Sequence, residues 1–169
     1  MQSRARLSSV CTLATATFLW TGAILPLSVN AETPKEGTDS FTNTWQSAGP
    51  NPLKLGDRTV GTYEISGVHR NDKSGDNMGM RCIGFYELVG TGTVHEQGSC
   101  IFADQAGDQM MTRYERNNGL KGTETLVGGT GKFAGISGTG EFTILQRGLT
   151  ADDKVFRGIV AEEFHWKLP

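Results

Sequence analysis

Residues 127–142, VGGTGKFAGISGTGEF, hold six glycines in sixteen positions. Glycine enters φ > 0 without a Cβ clash and lets a neighbouring backbone or ring come close, so the run marks turns and bends. Phe133, Ile136 and Phe142 punctuate it and give the turn an apolar side. Two phosphate-binding readings fail on spacing. A Walker loop carries Ser or Thr after its lysine, whereas Phe133 follows Lys132. A dinucleotide fingerprint needs Gly-x-Gly-x-x-Gly opening a helix; Gly129, Gly131 and Gly135 are spaced otherwise, and strand-forming residues follow. The stretch reads as a corner, where one strand ends, the chain makes a compact apolar turn, and a bent strand begins.

Around this corner the text is that of strands. Period-two alternation bounded by turn residues recurs over 58–69, 78–89, 93–103, 109–116, 120–127, 138–147 and 155–167, and no stretch sustains a helical period. A three-residue loop at 90–92 sets Cys82 opposite Cys100, Tyr86 opposite Glu96 and Glu87 opposite His95. A register fixed by the loop thus brings the two cysteines together, which predicts a disulfide. Asn118-Gly119 predicts a two-residue hairpin that sets Arg113 opposite Glu124 as a cross-strand ion pair. Asp104–Asp108 is a turn that lacks the ligand set and distal glutamate of an EF-type calcium loop. With an eighth strand from 41–45, the chain predicts an all-β, eight-stranded antiparallel up-and-down barrel of the calycin kind, preceded by an extended N-terminal arm over 32–57. A barrel of this size is either filled by side chains or holds one small ligand.

Residues 1–31 read as a signal peptide. Arg4 and Arg6 precede an uncharged apolar run, and Val29-Asn30-Ala31 forms a small-x-small cleavage site. The remaining domains are the arm and the barrel, 58–169. Cleavage would leave 14 basic residues of the 16 against 18 acidic ones, a net charge of −4. The expected location is secreted or periplasmic, with no stable membrane insertion after cleavage. In such an oxidising compartment Cys82 and Cys100 bridge by default. No basic run argues for nucleic acid. His69, His95 and His165 show no metal-ligand spacing, so no metal is expected.

Two carboxylates stand out as catalytic candidates. Glu162 shares a strand face with Phe156, Gly158, Val160, Phe164 and Trp166. A carboxylate among aromatics is an active group with a raised pKa, half of a buried pair, or a residue at which that face has reached solvent. Glu64 shares its face with Val60, Thr62, Ser66 and Val68, while Tyr63 and His69 lie on the other. Strand parity leaves open which face looks inward. Ser66, Tyr63, Tyr86 and Tyr114 are candidate ligand-binding residues, each able to hydrogen-bond a ligand oxygen.

The segment Gly128-Gly-Thr-Gly-Lys-Phe-Ala-Gly135, followed by Gly138, resembles the glycine-rich segment of the allene oxide cyclase and dirigent superfamily. Thr62-Tyr63-Glu64-Ile65 resembles the opening strand of plant allene oxide cyclases, whose Tyr-Glu-Ile run carries a cavity glutamate. The likeness spans about 58–167. It implies an eight-stranded barrel with a largely apolar cavity, assembled as a trimer, that uses neither a metal nor an organic cofactor. It also implies a ring closure in a fatty-acid epoxide or the orienting of phenoxy radicals. Carried over by position, Glu64 matches the cavity glutamate, which favours the inward orientation of its face. Ser66 stands where the cyclases have a water-holding asparagine. Residues 70–77 have no counterpart to the segment that follows the first strand in plant cyclases, so the same substrate is not implied. The expected function is an exported barrel that binds a small apolar molecule as a cofactor-free cyclase, isomerase or steering protein. The rival is a non-catalytic binding or structural barrel with a filled interior.

Overall fold

The computed structural model describes residues 34–48, 52–90, 93–148 and 155–169. The expected signal peptide, 1–31, lies outside the described residues. Nine strands follow one another: β1 (Glu36–Ala48), β2 (Leu53–Leu55), β3 (Arg58–Asn71), β4 (Asn77–Val89), β5 (Thr93–Ala103), β6 (Gln109–Asn117), β7 (Lys121–Gly129), β8 (Ser137–Gly148) and β9 (Val155–Lys167). From β3 to β9 each strand pairs antiparallel with the next. β1 pairs with both β9 and β3 and so closes an eight-stranded up-and-down barrel, with the short β2 added beside β3. Closure pairs the two edges that an open sheet would expose over Phe41–Ser47 of β1 and Ile65–Asn71 of β3. The segment read as an N-terminal arm therefore supplies a wall strand, and the expected eighth strand is longer than 41–45 by several residues at each end.

Most of the walls follow a simple rule: where an aromatic side chain points inward, a glycine lies opposite it on the next strand. Tyr63 faces Gly84, Tyr86 faces Gly61, Tyr114 faces Gly98, Phe142 faces Gly122, Phe164 faces Gly140 and Trp45 faces Gly158. Each ring lies over its glycine. A Cβ at Gly61 would meet the Tyr86 ring at 2.7 Å, and one at Gly140 would meet Phe164 at 2.6 Å. The glycines are thus the room into which the rings fold, which fits large side chains inside a narrow barrel.

The glycine-rich corner has the expected form. β7 ends at Gly129, a single 3₁₀ turn spans Gly131–Phe133, and β8 begins at Ser137. Gly131 and Gly135 take φ of 54° and 77°, a region that a side chain would strain. The Asp108 carboxylate accepts the Lys132 amide at 3.1 Å and occupies the space beside Gly131. Asp104 is used structurally: it accepts the Ala106 and Asp108 amides and pairs with Lys132 at 2.7 Å.

The interior differs along its length. Toward the glycine-rich corner it is solid, with Phe41, Met78, Phe102, Met110, Ile136 and Phe164 buried together. Phe102 and Phe164 are 0% and 1% exposed. Toward the other end the wall residues stand apart and leave a hollow. Among the described residues, no helix is long and apolar enough to cross a membrane.

Candidate functional site

The hollow is a cavity of about 370 Å³. Its walls are mostly apolar: Trp45, Ile65, Met80, Phe142, Ile144 and Val160 contribute, and the Cys82–Cys100 disulfide forms part of one side. The bridge joins directly opposed residues of β4 and β5, as the loop-set register predicts. Tyr63, Tyr86, Tyr114 and Glu162 also line the cavity, so four of the sequence-derived candidates meet there.

Glu64 and Ser66 do not. Glu64 lies on the outer face of β3, its side chain 53% exposed, and its Oε1 accepts from Arg81 Nε at 2.7 Å. That hydrogen bond, and then the Arg81 charge, hold its carboxyl below the ordinary range. Ser66, two residues on, is exposed as well. The expected orientation of this strand is therefore reversed: the inward set is Gly61, Tyr63, Ile65, Gly67 and His69, whose glycines face or abut rings of neighbouring strands. The resemblance to the cyclase Tyr-Glu-Ile run matched residue types without matching the face.

The carboxylates that sit deepest inside are Glu124 and Glu162, at the floor where hollow meets solid core. Both are buried. Glu124 reaches this position through a one-residue change in the β6–β7 hairpin. Asn118 and Gly119 both take positive φ, but Leu120 joins the turn, so Glu124 faces Tyr114 and Arg113 faces Thr125. The expected Arg113–Glu124 pair is not formed. A slip of one residue exchanges the faces of a strand, and here it carries a carboxyl from solvent into the barrel.

Burial, and then the charge of Glu162, push the Glu124 carboxyl well above the ordinary carboxylate range; the nearby Thr112 hydroxyl opposes part of the shift. Oε2 of each glutamate is buried without a donor among the described residues. A proton held by Glu124 and directed to Glu162 gives both a partner, because like charges this close in a dry site do not both ionise. Glu162 is oriented from behind. Asn43 Nδ2 donates to its Oε1, and Asn43 Oδ1 lies 2.7 Å from His69 Nδ1, which is also 3.3 Å from Glu162 Oε2. With its proton on Nδ1, His69 donates to Asn43 and leaves Nε2 bare in an apolar surround. The imidazole is fixed between the Phe41 and Phe102 rings, at centroid distances of 3.9 and 4.2 Å.

A second network lies higher in the cavity. Arg116 donates through Nε (2.6 Å) and a terminal nitrogen to Glu96 Oε2, and through Nη1 to the Gly119 carbonyl at 2.5 Å. Tyr63 donates to Glu96 Oε1. Its single proton is then spent, so Tyr114, 2.5 Å away, donates to the Tyr63 oxygen. Burial raises both phenols, so they act as donors and not as phenolates. Tyr86 is raised by burial too.

No family model matches the sequence, and no curated protein matches it. Solved structures do. The pterocarpan synthase dirigent protein GePTS1 is similar over 92% of this chain and 100% of its own, with 11% identity and a TM-score of 0.49. The pterocarpan synthase dirigent protein PsPTS1 is similar over 80% of this chain and 98% of its own, with 10% identity and a TM-score of 0.45. Site chemistry in this barrel is read from its own residues.

Proposed function

We propose that the barrel binds one small, largely apolar molecule in its open half and orients a ligand oxygen toward the Glu124–Glu162 pair. The observation that carries this reading is a cavity of about 370 Å³ ending on two buried carboxyls. Pockets of this kind, apolar with a few fixed polar groups, suit small molecules. A barrel with no task for its interior would gain by closing it, since apolar voids forfeit packing contacts. A filled-interior barrel describes only the half near the corner.

Chemistry at such a floor is acid–base and redox-neutral. Glu162, the ionised member held by Asn43, takes a proton from the ligand while Glu124 keeps its own, so that both carboxyls are briefly neutral, and the pair returns one proton to another ligand atom once the ligand has rearranged. Ring closures and isomerisations have this balance, and a walled cavity supplies the orientation they need. We place the protein in an oxidising, extracytoplasmic compartment, with which the Cys82–Cys100 bridge is compatible.

Mass spectrometry of small molecules released from natively purified protein tests the reading. The expected result is an apolar compound with an acceptor oxygen, in near-stoichiometric amount, depleted in Glu162→Gln and retained in Glu64→Gln. Absence of any such compound, together with failure to take up the neutral fluorophore Nile red, would overturn it.

A further inference from the structure

Six charged residues line the cavity, and they are segregated. Glu124 and Glu162 pair at the floor, while Glu96, Arg116, Arg147 and Arg157 lie toward the mouth. The mouth thus carries three arginines against one carboxylate, in a chain whose overall charge is −2. This positive rim is local and not a reflection of bulk charge.

The rim is also unsaturated. Arg116 is committed to Glu96 and the Gly119 carbonyl, and the second Glu96 oxygen is taken by Tyr63. Among the described residues Arg147 has neither a salt bridge nor a hydrogen bond. Partial burial and the neighbouring Arg116 charge disfavour its charged form, and the attraction of Glu96 only partly compensates. A guanidinium nevertheless keeps its proton, so its fork of donors remains on offer.

β8 is shaped to put it there. Ile144 pairs with Val160, Leu145 bulges out, and Arg147 then falls opposite the inward Gly158. Without the bulge, Gln146 would take the inward position. Bulges commonly re-aim a side chain next to a site. Trp45, Tyr86 and Phe142 line the same cavity, and Phe156 stands at its mouth, flat faces suited to stacking.

Building on the proposed binding function, we propose that the guest is an aromatic carboxylate, its ring between these side chains and its carboxylate held by the Arg147 guanidinium at the mouth. The carboxylate supplies the planar two-oxygen acceptor that the fork matches.

The test is displacement of Nile red by naphthoate and by its uncharged isostere naphthamide. Naphthoate is expected to compete at a concentration about tenfold lower or more, the scale of a charge-assisted hydrogen bond. The preference should shrink as salt is raised, collapse in Arg147→Gln and survive in part in Arg147→Lys. Equal competition by the two compounds, or a preference untouched by Arg147→Gln, overturns the proposal. Nile red binding that neither compound displaces also overturns it and leaves the apolar cavity standing. Failure of Nile red to bind overturns the cavity reading as well.

Discussion

A single buried proton distinguishes Glu124 from the other acids of this chain. Its native carboxyl holds that proton more tightly than the unfolded chain would, because burial and Glu162 both disfavour its ionisation. Above the unfolded value of about 4.3 the native state therefore binds more protons than the unfolded state, and stability falls as pH rises until the native group also ionises. Glu124→Gln keeps the shape and removes the titration. Urea midpoints between about pH 5 and about pH 8 should decline more steeply for the wild type than for this variant. Parallel slopes would mean that Glu124 carries no displaced titration. Glu64, by contrast, is solvated against Arg81, and exposed pairs of this kind contribute little. Parity gave no way to choose between the faces of its strand. The resemblance tipped the reading toward Glu64, while Glu162 was legible because its neighbours on the same face, Phe164 and Val160, are unambiguously apolar.

At the scale of strands, most of the barrel could be read from alternation and turns. The 93–103 and 155–167 strands end where the sequence pattern ends, and the loop at 90–92 set the register that joins Cys82 to Cys100. What escaped were the irregularities. The extra turn residue Leu120 turned Glu124 inward, and the bulge at Leu145 turned Arg147 inward; Asn118-Gly119 signals a turn without fixing its length, and strand alternation does not signal a bulge. One clue was available: inward glycines face inward rings, so Gly122 opposite Phe142 would have fixed the face of β7 and with it Glu124. The pairing has a measurable consequence. A Cβ at Gly98 would lie 2.3 Å from the Tyr114 hydroxyl and 2.4 Å from the Ile83 carbonyl, so Gly98→Ala should cost about 1–3 kcal/mol through overpacking. On the outer face, a Cβ at Gly79 meets nothing closer than 3.9 Å, and Gly79→Ala should stay within about 0.5 kcal/mol of the wild type. Equal effects in chemical denaturation would deny the glycine–aromatic pairing its structural role.

For the whole molecule, the division of the barrel into a solid half and a hollow half assigns each a task. The packed end around Phe102 and Phe164 anchors His69 and Asn43, and through them the position of Glu162. The open end keeps space that a stability-optimised core would fill. Saturable binding of Nile red to the intact protein, compared with Val160→Trp, tests this division most directly, because Val160 lines the hollow and an indole there would occupy it. The wild type is expected to bind at one site per chain and Val160→Trp to lose that site, with the β-sheet spectrum and disulfide unchanged. Unsaturable binding in the wild type, or equal binding in the filled variant, would contradict it.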